Sequence, residues 1–147
     1  MTHPLVSIVI TTKNEEHNIE NCLLSIKEQT YSNIEIILVD NNSNDKTIEI
    51  ALNFTSKIFN KGLERSAQRN YGMNEIARGK YVMFLDADMI LGPKTTEACV
   101  SMIENETWIA LHIPEFVLGK RYFSCVRRFE RSFYNGTVID AARFFKK

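Results

Sequence analysis

The sequence predicts an α/β fold, a mostly parallel sheet flanked by helices on both faces, and three observations predict it. Leu5–Thr12 and Tyr81–Leu85 are short, nearly unbroken apolar runs, as expected of strands covered on both sides. Polar breaks follow them, and Ile19, Cys22, Leu23 and Ile26 then fall at helical spacing. Strand, helix, strand in succession produces parallel pairing, because the chain must cross over to return in the same direction.

Taken in order, Leu5–Thr12 is the first strand, Lys13–Asn18 a loop and 17–29 an amphipathic helix. Asn33 punctuates before a second strand, Glu35–Val39. The run Asp40–Asp45 is a turn feeding a helix, with Asn42 and Asp45 spaced as a capping pair. Ile48, Ile50, Ala51 and Leu52 supply that helix irregularly, and Lys57–Phe59 is a short strand. After a turn at Asn60–Leu63, a helix over 65–78 carries an inner stripe of Ala67, Tyr71, Ile76 and Ala77, and Gly79 ends it as a C-cap. Tyr81–Leu85 is the central strand. Gly92-Pro93 starts a helix over 94–106 that buries Ala98, Cys99, Met102 and Ile103. Trp108–Ile113 is a strand that Pro114 ends or confines to an edge. Beyond it, Phe123, Val126, Phe129 and Phe133 mark a helical aromatic stripe, Asn135-Gly136 a turn, and Val138–Phe145 either a strand or a short helix. Residues 1–118 read as the core and 119–147 as the incomplete start of a further region of the same domain.

A chain of 147 residues suits one domain, and 44 % apolar with 24 % charged residues is ordinary for a globular protein. The formal net charge of zero gives no reason to expect nucleic acid binding. Its distribution is uneven: ten Lys/Arg against sixteen Asp/Glu in 1–118, then eight against two in 119–147. The basic end faces either a membrane surface, a phosphorylated ligand or the acidic body itself. Cys22, Cys99 and Cys125 lack disulfide or zinc spacing and read as reduced, cytoplasmic thiols. We expect no signal peptide and no membrane-spanning helix. RFFKK ends the chain two lysines after an aromatic pair, which reads as a cut between elements.

In parallel sheets ligands bind beyond the carboxyl ends of the strands. That rule gathers Thr11–Glu15, Asp40 and Asp86–Asp88. If the backbone stays extended, Asp86 and Asp88 point the same way, and two carboxylates there can hold Mg²⁺ or Mn²⁺ on a diphosphate. The alternative is a solvated turn. Asp40 either accepts from a base N–H or ribose hydroxyl or simply feeds its turn. Arg65 and Arg69 share a helix face and either reach a phosphate or stay solvated; Asn70 and Gly72 either allow that helix to pack closely or cap a break. His112 reads as a core or partly buried histidine and the aromatic stripe as packing or an interface, while Glu130 and Arg131 within that stripe are placed to approach a substrate. The glycine fingerprint of dinucleotide folds and the phosphate-binding loop of ATPases are both absent.

VSIVITTKNEEHNIENCLLSI, IEIILVDNNSNDKT and ERSAQRNYGMNEIARGKYVMFLDADM, in this order and spacing, resemble the inverting family-2 glycosyltransferases with the GT-A fold, a Rossmann-related nucleotide-binding sheet. The resemblance covers about residues 5–92 and continues more loosely to the end. It implies a nucleotide-diphospho-sugar donor, a UDP-sugar or GDP-sugar, lying across the sheet edge, with Mg²⁺ or Mn²⁺. On it, Thr12, Asn14 and Glu15 belong to the loop around base and ribose, Asp40 reads the base, and Arg69 lies near the nucleotide. Asp88 is the principal metal ligand of an Asp-x-Asp element, with Asp86 reaching the ribose or metal-bound water.

Inverting transfer also needs a general base for the acceptor hydroxyl. Residues 89–147 offer Glu97, Glu104, Glu106, Glu115, Glu130 and Asp140. The first three sit on or beside a surface helix, Glu115 follows the strand at His112–Pro114 and Asp140 lies in the relevant region. These two are the catalytic candidates, and neither matches the family's base closely. The expected function is therefore sugar transfer with inversion to an unknown hydroxyl acceptor. The alternative is a catalytically silent nucleotide-sugar-binding or assembly module. Nucleotidyl transfer is disfavoured by the missing glycine-rich activation loop. The remaining expectations are a cytoplasmic location, contact with the inner membrane face, and a homodimer formed over uncovered apolar surface.

Overall fold

Seven buried residues in a row, Val6–Thr12, make β1 the middle of the molecule. The computed structural model describes residues 3–62, 64–119, 124–126, 128–129 and 142–147. Strand β1 pairs in parallel with β2, Ile34–Asp40, on one side and with β4, Tyr81–Asp86, on the other. The three-residue β3, Ile58–Asn60, extends the sheet beyond β2. On the far side β6, Phe144–Lys146, runs antiparallel between β4 and β5, Ala110–Leu111, giving the order β3-β2-β1-β4-β6-β5. Residues 144–146 are therefore part of the same sheet as the core, and β4 is covered on both edges.

Alternation along β1 feeds two cores. Val6, Ile8 and Ile10 face α1, Ile19–Lys27, together with Ala51 of α2, Thr47–Ala51, and Cys99, Val100 and Ile103 of α4, Thr95–Asn105. Val9 faces the opposite layer with Ile37, Val39, Val82 and Phe84. That layer is covered by Tyr71 of α3, Arg65–Tyr71, and by Met73, Ile76 and Ala77 in and after the π-helical turn Gly72–Ile76. Each fully buried Val or Ile stabilises the fold by about 1.5–3 kcal/mol, so the sheet is the main source of stability.

Several sequence expectations are corrected here. Gly79 is not a helix cap, since the π-helical turn ends at Ile76. It lets the backbone pass close to β1: a Cβ there would lie 2.7 Å from the Leu5 carbonyl oxygen and from the Ser7 nitrogen. The Asn42/Asp45 capping pair does not form, because α2 starts after Lys46; Asp45 instead accepts from the Thr47 N–H at 3.0 Å and the Glu16 N–H at 3.1 Å. On α3 the residue facing inward is Gln68, while Ala67 is exposed. On α4, Thr96 and Val100 are buried and Ala98 and Met102 are not. Both helices are rotated relative to the stripe read from apolar residues alone, because Gln and Thr occupy inward positions. The strand expected at Trp108–Ile113 shrinks to Ala110–Leu111; Trp108 and Ile109 are exposed beside this short edge strand. The strand alternative holds at the chain's end, for Phe144–Lys146. Phe123, Glu130, Arg131, Phe133, Asn135, Gly136 and Asp140 lie outside the described residues.

Candidate functional site

Strand register brings the three sequence-distant segments together. Thr11 pairs with both Val39 and Asp86, and Thr12 with Asp40, so β2, β1 and β4 end at one level. Beyond these tips lies a cleft of about 290 Å³ lined by Thr12, Lys13, Glu15, Arg65, Gln68 and Asp88, with Asp86, Ala87, Thr11 and Asn41 completing the wall. A larger hollow of about 550 Å³ lies around Ile34, Glu35 and Lys57. There Glu35 is tied to Ser7, to Lys57 and to the Arg78 N–H. Burial by itself would raise the Glu35 carboxyl, but these donors hold it below the usual range. It is a closed structural network and has none of the strand-tip chemistry.

Asp86, the last residue of β4, is 9 % exposed. Its Oδ1 accepts from Arg69 Nη2 at 2.7 Å and Thr11 Oγ1 at 3.4 Å, and Arg65 Nη1 lies 4.0 Å away. Its Oδ2 faces both terminal nitrogens of Arg143 at 3.5 Å. Burial opposes the charged form, yet the Arg69 hydrogen bond and the charges of Arg69, Arg143 and Arg65 outweigh it and keep Asp86 ionised. Arg69 is also set over the Phe84 ring, 5.9 Å from its centroid.

The strand stops at Asp86, and residues 87–88 turn. Extended alternation therefore does not align the two aspartates, as it would if the strand continued. They nevertheless reach the same cleft: Asp86 turns into the arginine cluster, and Asp88 is exposed at its mouth. Cys22 lies behind them, its Sγ 3.8 Å from the Asp86 carbonyl oxygen. Burial, then the charges of Asp88 and Asp86, push its thiol up to about 12.

The loops over β1 and β2 are stitched to each other. Asp40, 3 % exposed, accepts from the Ser43 N–H at 2.8 Å and the Ser43 hydroxyl at 2.5 Å. Ser43 Oγ accepts from the Asn14 N–H, Asn14 Oδ1 from the Asn44 N–H, and Thr47 Oγ1 from the Glu15 N–H, each at 2.8 Å. Asn14 and Asn42 both adopt a φ of 52°, a left-handed conformation that asparagine tolerates better than most residues. Asn14 thus builds the loop, while Thr12 and Glu15 line the cleft and Asn41 lines it beside the buried Asp40.

Glu115 is half-buried and ion-paired with Arg143, which links it to Asp86. Sequence reasoning missed Arg143 and Gln68. Arg143 is brought in by an antiparallel pairing across the sheet, which leaves no local signal. Gln68 carried one: Gly72, four residues on, faces the sheet so closely that a Cβ would collide with Val9, and Gln68 shares that face. Three described buried side-chain polar atoms have no partner, namely Thr12 Oγ1, Gln68 Nε2 and Arg69 Nε. Thr12 and Gln68 line the cleft, and Arg69 holds Asp86 in its wall.

Among the described residues no group of three or more His, Cys, Asp or Glu side chains could hold a metal by itself. Mg²⁺ and Mn²⁺ are commonly held by one or two carboxylates with the rest of the shell from phosphate and water. An exposed Asp88 fits that second arrangement; Asp86, occupied by guanidinium groups, fits it less directly. Among the described residues no helix is long and apolar enough to cross a membrane.

Comparison with known proteins gives a consistent picture. Residues 7–140 match the model of glycosyl transferase family 2. An uncharacterized glycosyltransferase of Haemophilus influenzae is 38 % identical over 115 residues, which are 71 % of this chain and 45 % of that protein. Mannosyltransferase PcManGT of Pyrobaculum calidifontis, solved with GDP-Man and Mn²⁺, superposes with a TM-score of 0.70 at 24 % identity over 99 % of this chain and 45 % of that one. Residues 1–349 of S. aureus TarS, solved with UDP-GlcNAc, give a TM-score of 0.62 at 20 % identity over 79 % and 38 %. The sheet and helices are those of the GT-A fold. The chain spans less than half the length of these proteins.

Proposed function

Because this chain belongs to glycosyl transferase family 2, we propose that its cleft binds a nucleotide-diphospho-sugar and serves inverting transfer of the sugar to a hydroxyl acceptor. The observation that carries this reading is the common level of the β2, β1 and β4 tips, which puts Thr12, Asp86, Asp88 and Arg65 around one cleft. The base lies at the Asp40–Asn41 end, under the stitched loops with Thr12, Asn14 and Glu15, and the diphosphate lies at the β4 end. Asp88 is the direct carboxylate for Mg²⁺ or Mn²⁺, and Asp86 orients Arg69 and Arg65 and meets the ribose or a metal-bound water. A cation held by Asp88 when the donor is bound would supply positive charge against the departing nucleotide diphosphate. Arg65, the most exposed of the three arginines around Asp86, is free to turn toward the diphosphate.

Glu115 and Asp140 remain the candidates for the proton-accepting carboxylate. Glu115 must first leave Arg143 to act as a base, which favours for it a role in holding Arg143. That ion pair also supports a second reading, a nucleotide-sugar-binding module that does not itself transfer. Exposed Phe116, Leu118 and Phe129 beside Arg128 support docking of this end on an anionic membrane surface or on a second copy.

The test is calorimetry of UDP and GDP with and without Mn²⁺. Binding that tightens with Mn²⁺, and an Asp88→Ala variant that binds weakly and equally in both conditions, is the expected result. Metal-dependent binding that survives Asp88→Ala overturns the assignment. Hydrolysis of a panel of UDP- and GDP-sugars then separates transferase from silent module, and Glu115→Gln with full hydrolytic activity removes Glu115 from consideration as the base.

A further inference from the structure

Gln68 is 4 % exposed, lines the cleft, and leaves its Nε2 without any partner. A buried amide N–H₂ lacking a partner is costly in a folded protein, and a ligand that supplies an acceptor removes the cost. Position narrows what that acceptor is. Gln68 sits one turn before Gly72, whose missing Cβ faces Val9 of β1 and Val39 of β2, and so meets the cleft on the side of Thr12 and Asn41 rather than of β4. The guanidinium groups suited to phosphate, Arg65 and Arg69, gather instead on Asp86 at the β4 end. On that side the buried Asp40, which precedes the cleft-lining Asn41 and already accepts from Ser43, can only accept. A neutral donor and an anionic acceptor at one end of a cleft match a ring that offers a carbonyl oxygen next to an N–H.

We propose that Gln68 reads the nucleobase, donating from Nε2 to a ring carbonyl oxygen. It thereby favours uracil or guanine, which place a carbonyl beside a ring N–H, over cytosine or adenine, which place an amino group there. Thr12 Oγ1, equally buried and unpartnered, lies at the same end and can either donate or accept. This rests on the reading that the cleft takes a nucleoside diphosphate, and the experiment separates the two.

Dissociation constants of UDP, GDP, CDP and ADP are measured by calorimetry in Mn²⁺ for the parent chain, for Gln68→Met and for Gln68→Glu. Thermal unfolding of each variant confirms that it is folded. The parent binds UDP or GDP at least about tenfold more tightly than CDP and ADP, as one neutral hydrogen bond against a mismatched one predicts. Gln68→Met, which keeps the shape and removes the donor, loses about tenfold for the preferred nucleotide alone, so that the preference collapses. Gln68→Glu replaces donor by acceptor and moves the preference toward CDP or ADP, and it decides the matter if the Met variant does not fold. An equal loss for all four nucleotides with Gln68→Met assigns the contact to ribose or phosphate and overturns base reading. Unchanged binding overturns any ligand contact. A parent chain that binds none of the four overturns the nucleotide reading itself.

Discussion

Gly72→Ala probes the contact on which the cleft's placement depends. A Cβ added at Gly72 would collide with Val9 Cγ1 and stand 3.3 Å from both Val9 Cγ2 and Val39 Cγ2. Ordinary carbon contacts are about 3.5–4.0 Å, and both valines are fully buried. Rotating Val9 brings no relief, because its second methyl is already too close and β-branched side chains have few rotamers. The helix must therefore move off the sheet. Overpacking of this kind costs about 1–3 kcal/mol, and the helical preference of Ala over Gly offsets up to about 1 kcal/mol. We expect a net loss of about 1–2 kcal/mol, read in thermal unfolding of a chain of 147 residues as a midpoint lower by about 3–6 °C. Nucleotide affinity falls as well, since Arg65, Gln68 and Arg69 ride on the displaced helix. Adding Val9→Ala makes room, so the double variant should show a favourable coupling of about 1 kcal/mol or more. A Gly72→Ala chain as stable as its parent, or strictly additive penalties in the double variant, would refute the argument.

Three further outcomes follow from the same geometry. Asp86→Asn removes the counter-charge of Arg69, whose side chain is 29 % exposed; partial solvent screening reduces the loss to about 1–3 kcal/mol, measurable by urea unfolding, and an unchanged midpoint would contradict it. The folded chain depresses the carboxyl groups of Asp86 and Glu35, so the unfolded chain binds more protons in acid. Their contribution is intact above the ordinary carboxylate value, about pH 4, and is lost as pH falls through their lower folded values; stability rising between pH 5 and pH 3 would reverse the sign. Cys22 and Cys99 are buried, with thiols raised to about 12 and about 11, both mainly by desolvation, while Cys125 is exposed. Alkylation of the native chain at pH 8 should label Cys125 fast and the other two only in denaturant, and rapid native labelling of Cys22 would show that the region behind Asp86 is open.

The local parts of the fold were legible because their signals are local. The apolar runs at Val6–Ile10 and Tyr81–Leu85 are too short for helices and too apolar for one-sided strands, and both are buried strands. Ile19, Cys22, Leu23 and Ile26 all face inward as their spacing requires. Reading failed where an inward position carries a polar or missing side chain. Gln68 and Thr96 are buried although neither is apolar, and Gly79 acts through what a side chain there would strike rather than through helix capping.

The apolar runs placed the strand ends to within a residue, β2 and β4 each running one residue further, to Asp40 and Asp86, and with them the meeting of Thr12, Asp40 and Asp86 along one edge. That follows because parallel strands joined by crossovers all end at the same side of the sheet. How the carboxylates divide their work is set by packing. Asp86 is committed to arginines from α3 and from Arg143 beside β6, while Asp88, one step past the strand's end, is left to open water. Those partners come from 17 and 57 residues away, and their arrival depends on how a helix and an antiparallel strand pack, which no local spacing encodes.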